Sequence, residues 1–363
     1  AKSFNHTALL ETKRNQYQIK RLVRYVLRTT WAVKQQLSRG EFLPEAFELR
    51  FDSDALSGLT DVMLRDDGRM RLKGTIDRID LCEVGDNLYV KIVDYKSGNQ
   101  RFDIAALYYG LSLQLVIYMN AARAMEEKEH PGKRVIPAGI LYYNIDDPMI
   151  ERADFSEVSD PEAAAACEDE ILVKLKSNGL INASPDVIRL FDREFTKDSP
   201  VIPVSLTASG ALSKRSSVAT LKQFDDLGRF AAGKVETLGK EILSGNIGIH
   251  PYMKGNKKAC TYCLFQSICA FDERIDGFSY RRLGDLDAKA AWEEIRRWNE
   301  AGADSAGKDG GSRPPAPAGS ETASGGSGRP APVDSETAAG GSGRPEPADS
   351  IKEVKGHGGE VDG

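Results

Sequence analysis

The chain reads as an α/β protein, and three observations predict that class. Residues 8–145 alternate helical and strand periodicity in the order α-β-β-β-α-β. Inside that run, Gly74 to Lys96 forms two strand-like segments around Gly85-Asp86, a dipeptide suited to a tight hairpin turn. Beyond residue 300 the composition changes to Gly, Pro, Ser and Ala in a repeat of period 15 without large apolar residues. Such a segment cannot bury a core, so residues 301–363 are expected to be a disordered tail. The expected division is a core over 1–145, a helical extension over 146–300 containing a cysteine loop at 250–270, and the tail.

Residues 8–39 place Ile19, Leu22, Val23, Val26, Val33 and Leu37 at helical spacing. The opposite face carries Lys13, Arg14, Lys20, Arg21, Arg24, Arg28, Lys34 and Arg39. That face suits either a phosphate backbone or plain solvent. Gly40 ends the helix, and Phe47–Phe51 is the first strand candidate.

The hairpin carries the chemistry. A two-residue turn sets Val84 opposite Asn87, so Leu81 faces Val90, Ile79 faces Ile92 and Asp77 faces Asp94, with Lys96 on the same face. The other, outward face pairs Asp80 with Lys91 and Cys82 with Tyr89. Opposed carboxylates repel, with Cβ atoms about 5 Å apart. A divalent cation held by both would remove the conflict, and Lys96 could then orient water or offset phosphate charge. A solvated strand end in which Asp77 pairs with Lys96 is the alternative. Phe102 to about Glu129 is then helical, with Leu107, Leu111, Gln114 and Tyr118 on one stripe. Gln114 is either a satisfied core amide or a contact to Lys96 or to a ligand. Val135–Ile145 completes the core as an apolar strand beside the hairpin.

At these residues the chain resembles a known family. Gly74-Thr75-Ile76-Asp77-Arg78-Ile79-Asp80, then Asp94-Tyr95-Lys96-Ser97, then Gln114-x3-Tyr118 is similar to the PD-(D/E)xK nuclease core in its RecB-type form. The resemblance implies a restriction-endonuclease-like αβββαβ fold and Mg²⁺-dependent phosphodiester hydrolysis. Asp77, Asp94 and the backbone carbonyl of Tyr95 match the metal ligands, Lys96 the catalytic lysine, and Gln114 and Tyr118 the QxxxY motif.

Further along, Ala163–Leu175 and Val218–Leu243 read as helices, and residues 284–300 as a last helix with Trp292 and Trp298. No G-x4-GK[ST] occurs, so ATP hydrolysis is not encoded by this chain. Between the last two helices lies Cys260-x2-Cys263-x5-Cys269, with Lys254, Lys257 and Lys258 nearby. Three thiolates within ten residues point to metal ligation. Four thiolates suit zinc or an iron–sulfur cluster, whereas His250 joining the three would suit zinc.

Together with the nuclease motifs, this loop resembles the C-terminal nuclease domain of the AddB family, the second subunits of AddAB (RexAB-like) helicase–nucleases. The similarity runs from about Asn15 to Leu283. It implies a DNA exonuclease acting in double-strand-break end resection, with an AddA helicase–nuclease subunit as partner. It also implies a 4Fe-4S cluster on Cys260, Cys263 and Cys269 that staples the domain, its fourth cysteine lying upstream of the nuclease motifs. No cysteine precedes Cys82 here, so the chain is expected to be a piece of a longer protein. Two rival readings are a catalytically silent DNA-binding module and a zinc-stabilised interaction domain.

Charge decides little. The net charge is −5, but the tail holds 6 basic and 10 acidic residues, leaving the body near neutral with 43 and 44. A DNA site would have to be a local groove. No apolar run reaches the ~18 residues of a membrane span, and five cysteines, three of them clustered, suit a reducing compartment. Cytoplasm is the expected location.

Overall fold

A computed structural model of the chain describes residues 12–51, 72–150 and 161–306. Residues 307–363 of the tail expected to be disordered, the first residues of the opening helix and the Gly/Asp-rich turn before the hairpin lie outside the described residues, whereas 301–306 are not disordered but continue the last helix.

The opening helix, α1 (Lys13–Arg39), begins at Thr12, whose hydroxyl accepts the Asn15 N–H. Strands β1 (Leu43–Phe51), β2 (Gly74–Val84) and β3 (Asn87–Lys96) follow as an antiparallel meander. β1 starts earlier than the expected Phe47, and its register shifts between Pro44 and Ala46. The hairpin closes on Gly85, whose φ of 58° is the left-handed value that glycine supplies without a Cβ clash. Its register is that of the two-residue turn: Val84 opposes Asn87, Leu81 opposes Val90, and Ile79 opposes Ile92.

The segment expected to be one helix over 102–129 is two. Helix α2 (Ile104–Tyr108), capped by Asp103, ends before Gly110 at φ 80°, and α3 (Gln114–Glu129) restarts after Leu113. The left-handed glycine turns the chain where helical spacing alone would have continued it. This crossover delivers β4 (Arg134–Asn144), which pairs parallel to β3.

After α4 (Pro161–Lys174), strand β5 (Asn178–Asn182) pairs antiparallel to β4. Helix α5 (Pro185–Phe191) precedes the short β6 (Val218–Ala219), which pairs parallel to β5 and completes a six-stranded sheet in the order β1-β2-β3-β4-β5-β6. Helix α6 (Leu221–Leu243) therefore starts later than expected, at a capping box between Thr220 and Gln223. Beyond it, β7 (Tyr252–Lys254), β8 (Lys257–Lys258) and β9 (Arg281–Arg282) form a small separate sheet. The cysteine loop and the one-turn helix α7 (Gln266–Cys269) lie between β8 and β9. Helix α8 (Ala288–Ala306) ends the described chain.

The main sheet is covered on both faces. On one, Ile76, Ile79, Val90, Ile92, Ile140 and Tyr142 pack under α3, α6 and α8, with Phe230 and Trp298 in edge contact at 4.9 Å. On the other, Cys82, Val93, Leu141 and Tyr143 pack with Phe42, Ile188 and Phe191. This corrects the expectation that Cys82 lies on an outward face: it is buried, as are Asp80 and Lys91 beside it. A second correction concerns α1. Leu22, Val23 and Val26 are exposed, and Ala32 is the fully buried position of the helix. The core covered by α1 lies against its C-terminal half, so helical spacing marked an apolar stripe that the described chain does not fully cover.

Candidate active site

The burial of both sheet faces turns the Asp80–Lys91 pair read from the alternation into a buried ion cluster that includes Arg78. Arg78 Nε and Nη2 donate to the two Asp80 oxygens at 2.7 Å each, and Nη1 donates to Tyr95 OH at 2.6 Å. Lys91 Nζ lies 2.5 Å from Asp80 Oδ2 and also over the Phe42 and Phe191 rings. Burial alone would raise the Asp80 carboxyl, but Lys91 and Arg78 hold it below the ordinary carboxylate range. Burial lowers Lys91 despite Asp80. This network locks the hairpin from behind and fixes the Tyr95 ring.

On the opposite face, at the C-terminal end of β3, the five side chains singled out in the sequence come together. Asp77 Oδ2 accepts the Tyr95 backbone N–H at 2.7 Å, which orients that carboxylate beside β3. Asp94 is 1% exposed. Its Oδ2 pairs with the Lys96 ammonium at 2.6 Å. Lys96 Nζ also donates to Gln114 Oε1 at 3.0 Å, and Gln114 Nε2 donates to Tyr118 OH at 2.9 Å. Gln114 thus uses both ends of its amide, one on the strand and one on its own helix a turn later. Tyr118 is itself buried and meets Phe51 edge-on at 5.8 Å. Gly74 leaves room for that contact, because a Cβ there would fall 2.5 Å from the Phe51 ring.

The electrostatics match a site short of positive charge. Burial raises the Asp94 carboxyl, Lys96 opposes the shift, and the Asp77 carboxylate adds to it. Tyr142, under the Lys96 ammonium at 5.7 Å, is pushed up to about 12 by burial and then by Asp94. A buried acidic pair that shares a single lysine fits a hard divalent cation, which prefers such oxygen donors. Asp77 and Asp94 are the carboxylates there that could hold it.

Sequence reading missed what anchors the loop after Lys96. Asn144 Nδ2 and Asn178 Nδ2 both donate to Gln100 O, at 2.9 and 3.0 Å. Asn144 Oδ1 accepts the Gln100 N–H, and Asn178 Oδ1 accepts that of Phe102. Asn144 pairs with Lys96 in the parallel register, so that register was the available signal; nothing local marks Asn178.

The basic face of α1 is partly engaged. Arg24 and Arg28 reach Asp147, and Arg39 reaches Asp192 and Glu194. In the cysteine loop, Cys263 is exposed and Cys260 and Cys269 are half-buried, all as free thiols. Among the described residues, the three sulfurs do not converge within 4.8 Å of one another, and His250 does not join them in such a group. Tyr262, Leu264 and Ile268 around them are almost fully exposed.

The mixed sheet with αβββαβ order, carrying two acids and a lysine at one strand end, is the arrangement of a PD-(D/E)XK nuclease. The model of the PD-(D/E)XK nuclease superfamily matches residues 2–270, and the chain belongs to that family. Among curated proteins it is similar to the second subunit of the ATP-dependent helicase/deoxyribonuclease of Lachnoclostridium phytofermentans, 36% identical over 82% of this chain. The same-named subunits of Clostridium acetobutylicum and Alkaliphilus oremlandii are 38% and 34% identical over 83% and 82% of it. The chain spans about a quarter of the length of these relatives, 25% in each case.

Proposed function

We propose that this chain is the DNA-cleaving part of an AddB-like subunit, a Mg²⁺-dependent deoxyribonuclease that degrades strands from their ends during double-strand-break resection and recombinational repair. The observation that carries this reading is the continuous line Asp94–Lys96–Gln114–Tyr118 beside Asp77 at the end of β3. Names of relatives over most of the chain support the substrate class.

In this reading Asp77, Asp94 and the Tyr95 carbonyl hold Mg²⁺. When bound, the ion polarises a phosphoryl oxygen and eases deprotonation of water. The residues of the chain do the rest. Lys96, held by Gln114, points its ammonium at the space beside Asp94, where it orients the attacking water and offsets charge building on the scissile phosphate. Gln114 fixes the lysine, and Tyr118 fixes Gln114. The backing Arg78–Asp80–Lys91 cluster keeps β2 and β3 from sliding, which would move Asp77 away from Asp94.

The cysteines Cys260, Cys263 and Cys269 are proposed to take a 4Fe-4S cluster once a fourth thiolate completes the set. The partner would be an AddA-type motor subunit, and the setting cytoplasmic; among the described residues, no helix is long and apolar enough to cross a membrane. The test is release of nucleotides from end-labelled linear single-stranded DNA and from a closed circle, with Mg²⁺ and with EDTA. Degradation of the linear strand alone, and only with Mg²⁺, is expected. Equal cutting of the circle would rule out end-dependent action, and Mg²⁺-independent cutting would rule out the metal mechanism.

A further inference from the structure

We propose that Glu126, Glu129 and His130 form a second metal site, for a zinc-type divalent transition ion, at the C-terminal end of α3. The site is separate from the acidic pair on β3: Gln114 and Glu126 are twelve residues apart on one helix, about 18 Å along its axis. Among the described residues, these three bring their ligand atoms within 4.8 Å of one another.

The spacing i, i+3, i+4 places all three on one helix face. His130 is the residue that ends the helix, its backbone N–H donating to Glu126 O at 2.8 Å. Glu126 is the independent pointer to a ligand. Its side chain is 7% exposed, and Oε2 is buried with no hydrogen-bond partner. His130 Nε2 lies 3.3 Å from that oxygen. Two ligands on a tetrahedral zinc ion about 2.0 Å away sit about 3.3 Å apart. The pair is therefore already spaced as one edge of a zinc tetrahedron.

The surroundings add negative charge. Glu129 and, on β1, Glu45 act on Glu126 through space. Lys133 is committed to Glu83 at the hairpin tip. A buried carboxylate with two acidic neighbours and one imidazole is costly to leave without a countercharge. The donor set selects the ion: an imidazole nitrogen with two carboxylates favours zinc-class ions over Mg²⁺ or Ca²⁺. Three protein ligands leave the fourth position to water at the exposed Glu129 edge.

The test is a Zn²⁺ titration of the full chain against a chromophoric chelator, with Mg²⁺ in excess. The parent carries Cys260→Ser, Cys263→Ser and Cys269→Ser, so that thiolate binding by the cysteine loop is removed. It is compared with Glu126→Gln and His130→Asn in the same background. One equivalent of Zn²⁺ is expected in the parent, with a rise in Tm. Both variants should bind at least about tenfold more weakly, in line with the losses seen when a metal site is perturbed, and lose the Tm rise. His130 is a partly exposed residue at a helix end, so its variant reads out binding even if Glu126→Gln alters folding. Unchanged Zn²⁺ binding in the folded variants, no Zn²⁺ bound by the parent, or displacement of Zn²⁺ by Mg²⁺ would each overturn the proposal.

Discussion

Replacing Gln114 by leucine probes how the lysine is positioned. The glutamine accepts from Lys96 Nζ at 3.0 Å and donates to Tyr118 OH at 2.9 Å, and leucine keeps the bulk while removing both contacts. A hydrogen bond to a charged group is worth about 1.5–3 kcal/mol. Lys96 is 29% exposed in its side chain, so water recovers part of this, and the lower end, about 1.5–2 kcal/mol, is the better figure. If that energy is used to hold the ammonium at the reacting centre, kcat should fall roughly 10- to 30-fold. Tyr118→Phe removes a neutral bond worth about 0.5–1 kcal/mol and should cost about two- to fivefold. Because Tyr118 acts through Gln114, the double variant should be no slower than Gln114→Leu alone. Steady-state degradation of labelled single-stranded DNA in Mg²⁺ measures all three, with KM recorded separately. A Gln114→Leu enzyme at the parent rate, or effects that simply multiply, would refute the relay. A rise in KM with kcat unchanged would make Gln114 a DNA contact instead.

Three other outcomes follow from the geometry. In EDTA, Asp94→Asn should melt above the parent at pH 7, because the folded state raises the Asp94 pKa, chiefly through burial. Stability linked to that proton is present at acid pH and lost as pH rises through the folded value, so the difference should shrink on acidification; a variant that melts lower at pH 7 would contradict this. Arg78→Met leaves Asp80 with Lys91 alone and removes the Tyr95 contact, so urea denaturation should show a loss of about 3–5 kcal/mol; a change under about 1 kcal/mol would mean the cluster relaxes freely. Gly74→Ala sets a Cβ against Phe51 and, at 3.3 Å, Tyr118, so activity should drop with little change in far-UV circular dichroism, and an unchanged rate would show that the Phe51–Tyr118 contact does not support the site.

Much of the sheet was legible because a two-residue turn fixes register by counting. Gly85 and the alternation of Ile79, Leu81, Val90 and Ile92 left one consistent pairing; the count also set Asp77 opposite Asp94, whereas the ladder ends one pair earlier, at Arg78 opposite Val93, and the Asp77 carboxylate accepts the Tyr95 N–H. The Lys96–Gln114 contact was an open alternative that strand and helix spacing made available, and the structure contains it. What could not be read depends on tertiary placement. Asp80 and Cys82 looked solvent-facing because a charged residue in alternation normally is, and only the packing of Phe42 and Phe191 from other elements buries them. The break at Gly110 was hidden by apolar residues that keep helical spacing across it. Strand β5 was missed because Asn178–Asn182 is short and contains Gly179 at φ 152°, close against Ile140 O. The exposed half of α1 shows the reverse: periodicity reports an apolar face, not what covers it.

The central claim is that the end of β3 is the nuclease centre. Its most direct test is Mg²⁺-dependent degradation of labelled single-stranded DNA by the chain beside Asp94→Ala and Lys96→Ala, each checked for an intact fold by circular dichroism. A loss of at least about a hundredfold is predicted in both variants, the scale seen when charge stabilisation at a reacting centre is removed. Activity surviving in both folded variants would contradict the claim and place the chemistry elsewhere.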